Sequence, residues 1–341
     1  MLYPIGQPFV YRSNSRNKLR PFTCRLLLPS HLILIVALFL FPLFRFLFLE
    51  KYDLPFTNPD QSIPLSSDIQ FLLEPQEPIC SNETNFLIMI VSRPTESRLR
   101  QTIRESWGNL KNYDKRKTRI LFLMGVEQSN FQASLSLLSE NELHNDIVLT
   151  DIHENYYNLS MKTFALLQYK HHRCPRAKCL VKSDSDNVMN IQNFEKLCES
   201  TGEKSRVMGR CDVSRRVMRR GSKWAVPLHV YPFSKYPQYC STGIYLFTGS
   251  QTASLITQAT KNAIFFQSSN MRMLSEDVLF TGIFAEMAGV ERENLQGFSF
   301  FDRPSYDCVN GSYLSYSLHM NRRKEPLHYW KRLRLFEGKT C

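Results

Sequence analysis

Residues 179–190 read CLVKSDSDNVMN and join a short apolar run to two closely spaced carboxylates, Asp184 and Asp186. The apolar run is typical of a buried strand, and the first carboxylate stands where that strand should end. Carboxylates separated by one residue in an extended turn can reach one divalent cation, and such oxygen ligands suit Mg²⁺ or Mn²⁺. Asp-Ser-Asp-Asn is also ordinary turn chemistry, so the rest of the chain has to decide between the two interpretations.

The chain around this stretch alternates between apolar strands and helices. Apolar runs at residues 86–92, 119–125 and 146–151 predict strands, while residues 98–108 and 161–172 predict helices. This alternation indicates an α/β fold in which a mostly parallel sheet is covered on both faces. Ligands of such sheets bind beyond the carboxyl ends of the strands, which is where the two carboxylates stand.

An apolar segment near the N-terminus, residues 31–49, predicts one transmembrane helix that acts as a signal-anchor. Positive charges precede it and no acid appears before Glu50, so residues 1–30 are predicted to be a cytoplasmic tail. A cleaved signal peptide is the competing interpretation, but no small-residue cleavage site follows. Residues 50–81 have the polar, Pro-rich composition of a flexible lumenal stem, which leaves residues 82–341 for the catalytic domain.

The charge and the cysteines agree with that topology. Half of the net charge of +12 comes from six Lys/Arg residues in the first 49 positions, which no acid opposes. A basic chain could bind nucleic acid, but a chain predicted to cross a membrane is not expected to meet it, and a phosphate-bearing small molecule or an anionic glycan is the better prediction for the partner. Of nine cysteines, eight follow the apolar segment, and in an oxidising compartment this even number predicts disulfides whose pairing stays open.

One alternative metal site would be zinc bound by His171, His172, Cys174 and Cys179. Their spacing matches no standard zinc finger, and the predicted compartment favours disulfides over thiolate ligands.

Seven motifs and a late His–Trp pair give the chain a resemblance to a known family. In chain order they are RQTIRESWG from Arg100, FLMG from Phe122, YYNLSMKT from Tyr156, VKSDSDNVMN from Val181, KWAVP from Lys223, YPQYCSTGIYLFTG from Tyr236, SEDVLFTG from Ser275, and His319 with Trp330. This ordered set resembles glycosyltransferase family 31, the inverting β-1,3-galactosyl- and β-1,3-N-acetylglucosaminyltransferases of the secretory pathway, over roughly residues 86–330.

The resemblance implies a GT-A nucleotide-sugar-binding fold in a type II Golgi membrane protein with a lumenal catalytic domain. It implies transfer of galactose or N-acetylglucosamine from UDP-galactose or UDP-N-acetylglucosamine to a glycan hydroxyl of a glycoprotein or glycolipid, in β-1,3 linkage. The donor would be held by Mn²⁺ or another divalent cation. Nucleic acid is not among the implied partners.

Two metal ligands and a base follow by the same resemblance. Asp186 is the predicted direct metal ligand, and His319 is the second; otherwise His319 is a surface histidine before a basic run. Asp277 is predicted to take the proton of the attacking hydroxyl, in preference to Glu276. Both of these carboxylates also suit a helix N-terminus capped by Ser275.

The remaining predicted contacts are to the donor and the acceptor. Donor contacts are predicted for Arg100, Arg104, Lys162, Asp184 and Ser185, and the alternative for Lys162 is a solvated charge on a helix. By the same resemblance, Lys223, Trp224, Tyr236 and Tyr239 are predicted to contact the acceptor sugar, and the aromatic faces among them suit the apolar faces of pyranose rings.

One departure from the family pattern supports a second hypothesis. The family commonly has three consecutive acids where this chain has Asp184, Ser185 and Asp186. The alternative is therefore a catalytically inactive lumenal carbohydrate-binding protein or chaperone of the same fold.

Overall fold

The computed structural model describes residues 69–127, 131–212, 215–261, 263, 268–320 and 325–341. The predicted cytoplasmic tail, the predicted transmembrane segment and residues 50–68 of the predicted stem lie outside the described residues. Within the described ranges, no helix is both long enough and apolar enough to cross a bilayer.

The described part of the chain is built around a central sheet. In chain order the strands are β1 (Phe71–Leu73), β2 (Phe86–Val91), β3 (Thr118–Val126), β4 (Ile147–His153), β5 (Cys179–Asp184), β6 (Asn187–Met189), β7 (Arg206–Asp212), β8 (Tyr239–Thr248), β9 (Glu291–Asn294), β10 (Phe298–Ser299), β11 (Asp307–Val309), β12 (Ser312–Leu314) and β13 (Ser317–His319). Eight of them form the central sheet, in the order β1-β4-β3-β2-β5-β8-β7-β9.

The half of the sheet from β4 to β5 is parallel, as the continuous apolar runs predict. All six residues of β2 are buried. Leu87, Met89 and Val91 join one hydrophobic core, while Phe86 and Ile88 join the core on the opposite face. A strand buried on both faces has no polar alternation, which is why these strands read as apolar runs.

The other half of the sheet is mixed and corrects the expectation of a mostly parallel sheet. Strand β8 runs antiparallel to both β5 and β7, and β1 runs antiparallel to β4. Only β9 restores a parallel pair at the far edge, against β7. The described fold is therefore α/β with a mixed central sheet.

Helices cover both faces of the sheet. They are α1 (Ser97–Glu105), α2 (Phe131–His144), α3 (Leu159–Arg173), α4 (Ile191–Ser200), α5 (Thr252–Lys261), α6 (Ser268–Met273), a π-helical turn (Val278–Ile283) that continues into α7 (Phe284–Met287), and α8 (Pro326–Leu333). Helices α3 and α5 pack together over one core, and α1 and α8 pack together over the other. Trp107 and Ile103 are buried in the second core.

Four disulfides stabilise the described residues: Cys80–Cys174, Cys179–Cys198, Cys211–Cys240 and Cys308–Cys341. They use all eight cysteines of the predicted lumenal part. Because Cys174 and Cys179 are both oxidised, neither supplies a thiolate, and the zinc alternative loses its sulfur ligands.

Candidate active site

The Asp186 carboxylate and the His319 imidazole lie together just beyond β5, with 3.4 Å between Oδ2 and Nε2. Strand β13 brings them together because it runs antiparallel to β6 and places His319 opposite Asn187. The backbone N–H of Met320 also donates to the Asp186 carbonyl, at 2.8 Å. Both side chains keep exposed surface, 53% for Asp186 and 36% for His319. The pair can therefore meet a ligand from solvent.

This pair has the chemistry of a site for a divalent cation. A carboxylate oxygen with an imidazole nitrogen is a donor set that Mn²⁺ accepts. Beside the pair, the buried Oδ1 of Asn187 has no hydrogen-bond partner among the described residues. The described part of the chain contains no cluster of three or more His, Cys, Asp or Glu side chains arranged for a metal. A cation held by the Asp186–His319 pair would take its other ligands from a substrate or from water.

A cleft of about 740 Å³ opens beside the pair. Its walls include segments at the carboxyl ends of three parallel strands, namely residues 92–102 after β2, residues 154–162 after β4 and residues 184–186 at the end of β5. Lys223, Met320, Glu325 and Pro326 also line it. This is where the strand pattern predicts a ligand.

Gly243 is held close to Asp184 on the neighbouring strand β8. Its φ of +72° favours glycine, and a Cβ at this position would lie 2.5 Å from Asp184 Oδ2. Any other residue would push the Asp184 carboxylate out of place.

Lys182 connects the two acidic motifs inside the protein. Its ammonium is fully buried and lies 2.8 Å from Asp184 Oδ1 and 2.5 Å from Glu276 Oε1. The other Glu276 oxygen accepts hydrogen bonds from the Tyr245 hydroxyl at 2.5 Å and the Thr163 hydroxyl at 3.2 Å. Burial opposes the charged ammonium, but the two carboxylates outweigh it and raise the pKa of Lys182. Glu276 thus has a full set of internal partners.

Asp277 has a different environment from its neighbour. Its side chain is half-buried, and one oxygen accepts a hydrogen bond from the Val278 backbone N–H at 2.8 Å. Burial raises the pKa of Asp277, against the lowering effect of hydrogen bonds from Ser275 and Val278. A carboxylate with a raised pKa is a stronger base than an exposed one, as proton abstraction requires.

Arg100 and Arg104 are held by acids from other elements. The Arg100 side chain is fully buried, and its guanidinium pairs with Glu140 at 2.5 Å and donates to the carbonyls of Arg93 and Pro94. It has no exposed atom with which to contact a nucleotide. Arg104 also pairs with Glu140, at 2.7 Å. The two arginines fix α1 against the sheet and do not line the cleft.

Lys162 and Ser185 both line the cleft, although each already has a partner. The Lys162 ammonium lies 2.6 Å from Glu154, in a pair that is almost completely buried. The Ser185 hydroxyl donates to Glu96 at 3.0 Å.

The four predicted acceptor residues separate into two groups. Lys223 and Trp224 are exposed and line a small pocket of about 40 Å³ that also contains Glu276. Tyr236 and Tyr239 are buried, with 8% and 9% exposure, and contact each other edge to face at 6.0 Å. They support the site from behind and present no ring face to a sugar.

Sequence reasoning missed Arg93, Glu96 and Arg98, which line the cleft. Arg98 is 90% exposed, and its only ion pair in the described residues is a 3.5 Å contact with Glu325. These residues directly follow β2, so the rule that ligands bind beyond the carboxyl ends of parallel strands could have pointed to them.

Proteins with similar sequences include two beta-1,3-galactosyltransferases. Beta-1,3-galactosyltransferase 5 of Homo sapiens is 28% identical over 301 residues, which cover 86% of this chain and 93% of the relative. Beta-1,3-galactosyltransferase 1 of Mus musculus is 29% identical over 235 residues, which cover 67% of this chain and 68% of the relative.

Among solved structures, the galactosyltransferase LgtC in complex with donor and acceptor sugar analogs matches with a TM-score of 0.35 and 12% identity, covering 61% of this chain and 73% of that one. The family model described as galactosyltransferase matches residues 98–296, more than half of the chain. This match agrees with the resemblance to glycosyltransferase family 31, and the protein belongs to the galactosyltransferase family.

Proposed function

We propose that the protein is an inverting β-1,3-hexosyltransferase of GT-A architecture that moves galactose or N-acetylglucosamine from its UDP form to a glycan hydroxyl. The observation that carries this proposal is the 3.4 Å contact between His319 and Asp186, which lines the 740 Å³ cleft. A cation site beside a cleft at the carboxyl ends of parallel strands suits a nucleoside diphosphate.

The cation would be held by Asp186 and His319, with Mn²⁺ as the first choice for this mixed oxygen and nitrogen donor set. When bound, it supplies positive charge to the diphosphate leaving group. Two protein ligands leave positions open for phosphate oxygens.

Residues of the cleft would position the donor. Asp184 is fixed by Lys182 and by the close approach of Gly243, so its free carboxylate edge can orient a ribose hydroxyl. Arg98 and Lys223 are exposed cations at the cleft and suit the diphosphate. Lys162 already neutralises Glu154, so its role is to keep that buried acid from repelling an anionic donor.

Asp277 would act on the acceptor as the general base. An inverting transfer needs one group that removes the proton of the attacking hydroxyl, and no covalent intermediate. The half-buried Asp277 has exposed surface and a raised pKa. The carboxylate of Glu276, in contrast, is already bound by Lys182, Tyr245 and Thr163. Glu276 is therefore a positioning residue in this proposal. Through its ion pair with Lys182, Glu276 fixes the position of Asp277 relative to strand β5.

The proposed location is the Golgi lumen, with residues 31–49 as the single membrane helix of a type II protein. The charge asymmetry on the two sides of this segment is the support. Protease digestion of intact vesicles tests the topology, since residues 82–341 should be protected and residues 1–30 should be cleaved.

The function is tested by incubating the full chain with a panel of UDP-sugars and glycan acceptors, with and without Mn²⁺. We expect cation-dependent transfer from UDP-galactose or UDP-N-acetylglucosamine, and a β-1,3 linkage in the product by NMR. Absence of transfer with every donor, or retention of the anomeric configuration, would overturn the proposal.

A further inference from the structure

A second cleft, of about 660 Å³, lies beside the turn that follows β10. We define it by Arg210 and residues 294–305, which include the end of β9, strand β10 and the turn after it. None of the motifs considered above includes residues 294–305, and the donor cleft shares no lining residue with it.

The second cleft adjoins the reacting centre through Phe300. The Phe300 ring stacks on the His319 imidazole, with 5.9 Å between centroids and 30° between planes. Strand β10 runs parallel to β13, with Ser299 opposite Leu318, so the next residue along β10 comes beside the histidine. Arg210, which also lines this cleft, is paired with Ser241, two residues before the Gly243 that lies close to Asp184. A molecule in the second cleft therefore lies next to the site where the donor reacts.

The turn that forms one wall is rigidly built. Gly297 has a φ of +80°, and a Cβ there would lie 2.9 Å from the Tyr316 ring, so the close packing of this segment requires glycine. The Ser299 hydroxyl accepts a hydrogen bond from the Phe301 backbone N–H at 3.2 Å and also contacts the Arg303 carbonyl. This bracing presents the Phe301 ring to solvent, with 65% exposure.

The lining has the chemistry of a saccharide subsite. The exposed Phe301 ring suits the apolar face of a pyranose. The side chains of Asn294, Gln296 and Arg303 are exposed and make no hydrogen bond or ion pair within the described ranges. Planar amides and a guanidinium offer paired donors and acceptors for neighbouring hydroxyls. An open polar cleft with one projecting aromatic ring fits a sugar better than an apolar molecule.

We propose that the second cleft binds the second sugar of the acceptor glycan, a neutral hexose or N-acetylhexosamine to which the accepting sugar is linked. This inference rests on the proposed function, because it takes the accepting sugar to be at Asp277 and the Asp186–His319 pair. The cleft then selects oligosaccharide acceptors over monosaccharides and makes no contact with the donor.

The test compares a β-linked aryl monosaccharide acceptor with the disaccharide that extends it toward the reducing end. In Phe301→Ala we expect the KM for the disaccharide to rise roughly fivefold to tenfold, as loss of one stacking contact implies. The kcat/KM for the monosaccharide and the affinity for UDP should stay unchanged. Leu143→Ala, which removes another exposed apolar side chain with 77% exposure, is the matched control and should change none of these values.

Ligand-observed NMR with the same two saccharides, without donor, separates this inference from the proposed function. If no transfer occurs but the wild type binds the disaccharide and Phe301→Ala does not, the proposed function fails and the subsite stands. If transfer occurs and Phe301→Ala keeps the wild-type preference, the subsite is overturned. Binding restricted to sulfated or sialylated glycans would also overturn it, because the proposed occupant is neutral.

Discussion

The buried ammonium of Lys182 lies 2.5 Å from Glu276, and this contact ties the strand that ends at Asp184 to the residue that precedes Asp277. The two acidic motifs of the family are therefore one connected unit in this protein. A substitution in the Lys182–Glu276 pair should therefore disturb both the residues proposed to bind the donor and those proposed to act on the acceptor.

Glu276→Gln should destabilise the fold as well as lower activity. The change leaves the buried Lys182 with a single carboxylate, and removal of one partner from a buried ion pair costs about 3–5 kcal/mol. Thermal or urea unfolding measures the loss. Glu286→Gln is the matched control, because Glu286 pairs with Arg292 at 2.7 Å but is 60% exposed, so its loss should be below about 1 kcal/mol. Equal effects of the two substitutions would remove the role assigned to Glu276.

Asp277→Asn should lower kcat by about 10²- to 10⁴-fold and leave UDP affinity unchanged, since the carboxylate acts on the acceptor hydroxyl. Burial raises the pKa of Asp277, so activity in the wild type should fall as pH decreases through that raised value and protonates the base. Steady-state kinetics across pH check both points. Asp114→Asn, which changes an exposed acid paired with Arg116, should leave the profile unaltered. An unchanged acid limb in Asp277→Asn would assign the base elsewhere.

Asp186→Ala and His319→Ala should each abolish the gain in UDP affinity that Mn²⁺ provides. Each substitution removes one of the two side chains proposed to hold the cation, which leaves the diphosphate charge uncompensated. Calorimetric titration with UDP, with and without Mn²⁺, measures this gain directly. His172→Ala, an exposed histidine at the end of α3, is the control. Should His319→Ala keep the full gain, His319 is only a neighbour of the cation site.

The basic hairpin formed by residues 215–236 contains one structural arginine among exposed ones. The Arg219 guanidinium donates to the backbone carbonyls of Val226, Tyr231 and Phe233. Arg216 and Arg220 are exposed. The sequence from residue 213 to residue 275 contains no acid, so the exposed arginines produce a positive field next to Trp224.

Arg219→Ser should lower the free energy of unfolding by about 1–3 kcal/mol, because it leaves the carbonyls of the buried residues Val226 and Tyr231 without this donor. The double substitution of Arg216 and Arg220 by Ser should leave stability unchanged. With an anionic glycan acceptor it should raise KM and flatten the dependence of KM on salt. Unfolding curves measure the loss of stability, and kinetics at two ionic strengths measure the change in KM. If KM for the anionic acceptor does not depend on salt in the wild type, the exposed arginines have no role in acceptor binding.

The parallel half of the sheet could be predicted because each strand is a buried apolar run, as Phe86–Val91 illustrates. The antiparallel direction of β8 could not be predicted, because Tyr239–Thr248 is also largely apolar. Its direction depends on pairing with β5 and β7, which are distant from it in sequence. Burial on both faces is what a parallel sheet requires, but an antiparallel strand that is covered on both faces has the same apolar composition.

Two arginines of one helix explain why the site was only partly predicted. Arg98 and Arg100 are two positions apart in α1, and the sequence does not say which of them points inward. Arg100 is buried because Glu140 meets it from α2, and Arg98 is left at the cleft. The Asp186–His319 contact was accessible only through family resemblance, since no local pattern relates β6 to β13.

Ser185→Asp distinguishes an active enzyme from a binding protein that has lost its chemistry. The Ser185 hydroxyl donates to Glu96 at 3.0 Å, so it already has a partner other than the proposed cation. A carboxylate here would instead face Glu96 and repel it. We expect the wild type to be active and Ser185→Asp to lower kcat/KM a few-fold, while Ser185→Asn, which adds the same bulk without charge, should lower it less. Transfer assays with the preferred UDP-sugar measure all three proteins. If the wild type is inactive and Ser185→Asp gains transfer, the missing acid is essential, and the protein is a lumenal carbohydrate-binding relative of the enzymes.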